Sequence, residues 1–369
     1  MSHRTPAVDA DRLTQTLLDL VRIDSPSTKE TEAIDYVRRV LVELGTQPSE
    51  DAIGNVYAHI PGVGPAQRPI LLNAHLDTVQ PTPGIQVRIK DGIVRTDGKT
   101  ILGADDKAGV AAILEVLRLL RSSQAPHPPL DVLFTVQEEI GLFGAKAVDY
   151  ARLGATEGLC LDSSGPPHHL TVAAPGQNDV RANFVGQSAH AGVAPELGKN
   201  AILAAARAIS AMPLGRIDAE TTANVGTIDG GQARNIVPDR CAIVGEARSR
   251  NAQKLAVQTE AMVRAMKTAA EATGCRAEVE VKESYTAFSH DETTPIVRRC
   301  VEGIRALGKE PSLVATGGGS DANIFNRHGI ATVLLGIGYE DIHTTSEHIA
   351  LSTLADVART LLAIVTAAG

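Results

Sequence analysis

The sequence predicts an α/β protein built on a mostly parallel sheet, with a smaller ferredoxin-like α+β unit set inside it. Three observations carry this. Short continuous apolar runs, among them "PILLNA", "LDVLFTV", "GLCL", "SLVAT" and "ATVLLGIG", are bounded by turn residues, which is how strands buried on both faces of a parallel sheet read. Helical patterns lie between these runs, and strands alternating with helices define the α/β class. From about Asp179 to Tyr285 the pattern changes to strands with one wet face.

In chain order, "PILLNA" is the first buried strand. A helix follows from near Lys107, where Val110, Ile113, Leu114, Leu117 and Leu120 recur at the spacing of one helix face. "LDVLFTV" and "GLCL" are the next buried strands. The alternating stretch then reads as strand (Asp179 to Gly186), helix (Gly198 to Met212), strand (Thr221 to Ile228), strand (Asp239 to Ser249), helix (Ala252 to Thr273) and strand (Arg276 to Tyr285). Alternation is plain in Val180, Ala182, Phe184 and again in Ala277, Val279, Val281. This is the β-α-β-β-α-β order of a ferredoxin-like unit. Buried strands on both sides of it make an insertion, so the expected domains are a discontinuous one, 1–178 with 286–369, and an inserted one, 179–285. Two domains are also the default for 369 residues.

Composition narrows the function classes. Hydrophobic residues make up 43% and charged residues 21%, the mix of a globular protein. Aromatics are only 3%, without tryptophan, and the formal net charge is -8. Base-stacking platforms and phosphate-binding surfaces are thereby disfavoured, and no nucleic-acid partner is expected. No stretch is long and apolar enough to span a bilayer, so no membrane partner is expected. The start, "MSHRTPAVDADRLTQ", lacks the pattern of a secretory signal. Cys160, Cys241, Cys275 and Cys300 form no Cys-x-x-Cys pair, which suits a reducing cytoplasm rather than a disulfide scaffold or a thiolate zinc site.

The chemistry collects where buried runs end. "ILLNA" runs into His75 and Asp77, "LDVLFTVQ" into Glu138 and Glu139, "GLCL" into Asp162, and "ATVLLGIGYEDI" into His343; Asp105 sits in "LGADDKAG" just before a helix. Ligands of open α/β sheets bind outside the carboxyl ends of the strands, so these groups should meet at one edge. Two imidazoles and several carboxylates, without thiolates, suit a pair of divalent ions, zinc above all, with an open position for water. Two dications would also relieve the repulsion among carboxylates held so close. If Glu138 and Glu139 extend their strand they point different ways, so one can bind metal while the other faces water as a general base.

Each group has an ordinary alternative. Asp105 and Asp106 could be helix N-terminal acids, Glu138 and Glu139 solvated turn charges, Asp162 a turn former, and His343 a loop cap. Four separate strand ends repeating one chemical theme outweigh those readings together. His168 and His169, and His3, His59, His127, His290, His328 and His348, have no supporting constellation. The glycines of "ATGGGSDANIF" lack the lysine and spacing of a phosphate loop. They read equally as a flexible turn capped by Ser320 or as Gly318 and Gly319 admitting a substrate close to the backbone.

With these residues assembled, the chain resembles the two-zinc hydrolases of the aminoacylase, succinyl-diaminopimelate desuccinylase, carboxypeptidase G and peptidase T family. The motifs "NAHLDTV", "LGADDKAG", "VQEEIG", "LDSSG" and "IHTTSEHI" occur in the family's order, and "DGKTILGADDKAG" is most similar to the peptidase T branch. The resemblance implies a zinc-exopeptidase-like catalytic domain and an inserted lid and dimerisation domain. It implies two divalent ions per subunit, zinc with cobalt or manganese as alternatives. Asp105 would bridge them, His75 and Asp162 completing one site and Glu139 and His343 the other. Glu138 would be the general base and the Asp105–Asp106 bond would be cis; the His-x-Asp pair by itself makes Asp77 the carboxylate that fixes the tautomer of His75 and raises its basicity. "GQSAHAG" implies that His190 reaches the partner subunit's site and stabilises the oxyanion, while "ARNIVPD" and "GEARS" imply that Asn235 and Arg248 hold a substrate carboxylate.

The activity so implied is that of a cytoplasmic, homodimeric metallopeptidase that hydrolyses a terminal amide of short peptides, as a tripeptide aminopeptidase does, with a metal-activated water. An N-acyl amino acid deacylase or desuccinylase would use the same amide chemistry. A non-catalytic metal- or peptide-binding homologue would keep the ligands but has no need of Glu138.

Overall fold

The computed structural model describes residues 7–65 and 67–367. His3 and the outermost residues of the discontinuous domain lie outside them. The described chain forms two compact units: one comprises the chain up to Ala173, His290–Ala315 and the chain from Ser320, and the other Ala174–Ser289 with Thr316–Gly319. The second unit thus begins before residue 179 and gains four residues assigned above to the outer domain. Both differences have local causes. The strand Gly176–Val185 stays paired as far as Gly176, opposite Ser249. Gly319 lies under the ring of Tyr285, where an added Cβ would come within 2.2 Å of Cζ, so only glycine fits there.

In the first unit, the strands Leu130–Thr135, Ile70–His75, Glu157–Ser163 and Ala331–Gly336 are parallel neighbours in that order. Every residue of the first two is buried, as their continuous apolar sequence requires. Val56–Ile60 adds antiparallel on one side and His169–Ala174 on the other, giving a mostly parallel sheet. The helix Ala104–Ser123 is buried almost all round as far as Leu117, beyond the single face its periodicity marks. It packs on the strand Ile70–His75 and also against the helices Ala10–Arg22 and Leu351–Thr366. Its fully buried Glu115 is satisfied by Arg12, whose Nε and Nη2 donate at 2.8 and 2.7 Å, and by the Asp9 backbone N–H at 3.1 Å. A small antiparallel sheet joins Arg88–Lys90, Ile93–Arg95, His348–Ala350 and Tyr339–Glu340.

The second unit is an antiparallel sheet in the order Gly215–Arg216, Thr221–Gly230, Arg240–Ser249, Gly176–Val185, Arg276–Tyr285. The helices Ala201–Ala211 and Ala252–Ala272 cover one face, burying Val180, Ala182, Phe184, Ile243, Met262 and Met266. The first helix starts at Ala201 rather than Gly198, because the Asn200 side chain accepts from the Leu203 N–H and caps it there. No helix among the described residues is long and apolar enough to cross a membrane.

Candidate active site

Strand order brings the chemistry together. The strand Ile70–His75 lies between Leu130–Thr135 and Glu157–Ser163 and parallel to both, with His75 opposite Thr135 and Asn73 opposite Cys160. His75, the turn after Thr135, and Asp162 therefore emerge at one edge. The hairpin between Tyr339–Glu340 and His348–Ala350 supplies His343, whose φ of 61° lies in the left-handed region. Asp105 and Asp106 open the helix Ala104–Ser123 in non-helical conformations, with a cis peptide between them.

Ligand atoms of His75, Asp105 and Asp162 all lie within 4.8 Å of one another, and so do those of Asp105, Glu139 and His343. Asp105 is common to both sets. Its Oδ1 is 3.4 Å from His75 Nε2 and its Oδ2 3.3 Å from His343 Nε2, while Glu139 Oε1 is 3.1 Å from His343 Nε2. His75, Glu138 and Glu139 form a third set within the same limit.

Asp77 organises its neighbours in a way the sequence did not disclose. His75 Nδ1 is 2.9 Å from the Asp77 carbonyl oxygen and 3.6 Å from its carboxylate. A carbonyl only accepts, so Nδ1 carries a proton, and Nε2 is the ring atom that faces Asp105. The Asp77 carboxylate instead accepts the backbone N–H groups of Glu138 (2.9 Å) and Glu139 (3.1 Å) and the Ser27 hydroxyl (2.6 Å). Glu138 and Glu139 do not extend their strand, which ends at Thr135; they sit on a turn pinned by Asp77.

The electrostatics ask for cations. Burial, with the charges of Asp162 and Asp321, pushes the Glu138 carboxyl well above the usual range. Burial and the charge of Asp105 do the same to Asp162. Asp105 is held low: the imidazoles of His343 and His75, at 3.3 and 3.4 Å, overcome the upward push of burial. The same contacts from Asp105 and Glu139 raise the His343 imidazole to about 10. Asp105 Oδ1 is buried without a hydrogen-bond partner. Buried carboxylates crowded around two imidazoles, one with an orphaned oxygen, fit a pair of divalent ions that share Asp105.

The family model for peptidase family M20/M25/M40 matches residues 71–367, a span that includes every one of these groups. The chain belongs to that family. It is similar to the crystal structure of aminopeptidase PepT from Bacillus cereus ATCC 10987, with 42% identity, 97% of this chain and 98% of that one covered, and a TM-score of 0.89. A tripeptidase structure from Staphylococcus aureus is 37% identical over 97% of this chain and 98% of that one, with a TM-score of 0.92. Protein YqjE of Bacillus subtilis (strain 168) is 41% identical over 97% of this chain and 98% of its own length. Within the M20 family the chain falls in the peptidase T-like branch.

Other residues expected in this M20 peptidase's site belong to the second unit. His190 is exposed on the second unit, and its Nδ1 accepts the N–H groups of Gly192 and Val193, each at 3.2 Å. Asn235 is exposed, its carbonyl accepting the Ala191 N–H. Arg248 is paired with Glu246 through two bonds of 2.9 and 3.0 Å, so its guanidinium is engaged on its own strand. Gly318 and Gly319 belong to the second unit, and the close approach at Gly319 is to Tyr285. Histidines set aside from the sequence have other contacts: His59 with Asp131, His290 with Asn326, and His328 stacked on Tyr150.

Sequence reasoning missed four buried groups near the candidate metal ligands. Tyr339 donates its hydroxyl to Asp162 at 3.1 Å. Asp321 accepts the Thr135 hydroxyl at 2.5 Å, and burial lifts its carboxyl to about 6. Lys107, fully buried, donates to the Ile23 carbonyl at 2.7 Å, and burial lowers its ammonium to about 8. Glu347 accepts three backbone N–H groups from the segment that leads into Asp105. The signal in the sequence was proximity: Lys107, Glu347, Asp321 and Tyr339 stand within "GADDKAG", "IHTTSEHI", "ATGGGSDANIF" and "ATVLLGIGYEDI".

Proposed function

We propose that the chain is a dizinc exopeptidase of the peptidase T-like type that releases the N-terminal residue of short peptides in the cytoplasm. The observation that carries the reading is Asp105 shared by two donor sets beside a buried Glu138 that neither set with Asp105 requires. Bound ions, zinc with cobalt or manganese as alternatives, would be held by His75, Asp105 and Asp162 and by Asp105, Glu139 and His343, and would supply Lewis acidity to the scissile carbonyl and the attacking water. Glu138 takes the proton of that water on its carboxylate and returns it to the leaving amine. Asp77 keeps Glu138 in place through the turn and His75 in the tautomer that offers Nε2.

The protein acts as a homodimer, with 179–285 as lid and dimerisation domain. Exposed Val193, Leu197, Ile202, Ile228 and Ile236 on that unit support this, since apolar groups of this size are what a partner surface covers. His190 reaches across to the partner subunit's site. Because its Nδ1 accepts two N–H groups, its proton is on Nε2, the atom that would donate to the oxyanion. Asn235 and Arg248 take the substrate carboxylate, Arg248 turning from Glu246 to do so, and Gly318 and Gly319 line the approach.

The test is mass-spectrometric product analysis with tripeptides, dipeptides and N-acyl amino acids, on enzyme reconstituted with zinc, cobalt or manganese. Release of the N-terminal residue from tripeptides is expected. Release of an acyl group alone would make the protein an N-acyl amino acid deacylase. Metal-loaded protein inert on every substrate would make it a binding homologue.

A further inference from the structure

Glu347 lies four residues after His343 and is 1% exposed. Its Oε2 accepts the N–H groups of Leu102 and Gly103 at 2.8 and 2.7 Å, and its Oε1 accepts the N–H of Asp105 at 3.0 Å. These donors have a specific need. The first N–H groups of a helix have no partner within the helix, and here the backbone is further displaced: Gly103 has φ 73° and Asp105 has φ -77°, ψ 106°. A single carboxylate 242 to 245 residues away in sequence satisfies all three. The far side of the same side chain is anchored too, because His348–Ala350 pairs with Ile93–Arg95 and with Tyr339–Glu340. Glu347 therefore ties the hairpin that presents His343 to the segment that presents Asp105.

We propose that Glu347 is a positioning residue, which holds the backbone of Asp105 so that its carboxylate stands between the two donor sets in register with His343. This rests on the two-ion reading above. Groups that orient metal ligands typically change metal affinity by about 10- to 100-fold when lost. Glutamine at this position keeps the volume but turns an amide N–H₂ towards backbone donors, so at least one N–H loses its acceptor.

The test compares wild type, Glu347→Gln and Glu347→Asp as full chains, titrated with cobalt(II) after chelation. Wild type should bind two ions; fewer than two would remove the two-ion reading itself, independently of Glu347. Given two ions in wild type, Glu347→Gln should weaken at least one by about tenfold or more, alter the cobalt visible spectrum, and lower kcat with KM within about twofold. The shorter Glu347→Asp should show the same defects in milder form, as it keeps the charge. A lower Tm with affinity, spectrum and kcat unchanged would reduce Glu347 to a purely structural role and overturn the proposal. A measurement on wild type alone serves if the variants do not fold: in metal-free protein the amides of Leu102, Gly103 and Asp105 should resist hydrogen exchange. Exchange as fast as that of open loops would also overturn it.

Discussion

Glu138 and Glu139 are neighbours in the chain with opposite surroundings. Glu139 meets His343 at 3.1 Å, whereas the Glu138 carboxyl is buried among like charges. Glu138→Gln should keep both metals, measured by metal analysis after gel filtration, and lose nearly all turnover, because the amide preserves volume and removes the base. Glu139→Gln should instead weaken one metal site. Equal metal loss in both would end this division of roles. The residue types at the strand ends were legible in the sequence; the turn that separates these two side chains was not, since it depends on Asp77, some 60 residues earlier, accepting both backbone N–H groups.

At the scale of elements, helix packing sets narrow limits. A Cβ on Gly303, in the helix Pro295–Ala306, would meet Cα and N of Ile364 at 2.7 Å. Backbone cannot rotate away as a side chain can, so Gly303→Ala should force this helix from Leu351–Thr366 and cost about 1–3 kcal/mol by overpacking, more than the roughly 1 kcal/mol gained in helix propensity. Urea unfolding measures it; a more stable variant would contradict the packing. The buried Glu115 gives a second case. Arg12→Met leaves that carboxylate with only the Asp9 N–H and should cost about 1–2 kcal/mol, discounted because the Arg12 side chain is 42% exposed and screened by solvent, while adding Glu115→Leu should recover most of the loss, because no buried carboxylate is then left underpaired. Periodicity revealed the helix that follows Lys107, yet it could not reveal which faces meet, nor that Ala104–Ser123 is covered almost all round as far as Leu117.

For the whole molecule, ions bound only by the native state stabilise it by mass action. Prolonged chelation should therefore abolish hydrolysis and lower Tm in a scanning experiment, with both restored by divalent ion; full activity in verified metal-free protein would remove the mechanism. The proposed sharing of the site between subunits is tested by mixing inactive homodimers of His190→Ala and Glu138→Ala. Random re-association makes about half the dimers mixed, each with one intact site of two, so activity should return to roughly a quarter of wild type. Differently tagged subunits establish that exchange occurs, and mixed dimers that stay inactive would show that His190 does not act across the interface.

The sequence by itself determined the α/β class, the family, and the residue types that close the buried strands. These are local properties: period 2 against 3.6, continuous apolar runs, and short motifs are all written within a few residues. Tertiary structure alone decided the order of the strands, and hence that His75 stands between Thr135 and Glu157–Ser163. It decided that Asp77 works through its carbonyl on His75 and through its carboxylate on the Glu138 turn, that Gly319 lies under Tyr285, and that Glu347 holds the segment leading into Asp105. Apart from the Asp77 carbonyl and His75, two residues apart, each of these joins residues distant in the chain, and a hydrogen bond across 50 or 245 residues leaves no periodic trace in either segment, because its energy depends only on where folding brings the two partners.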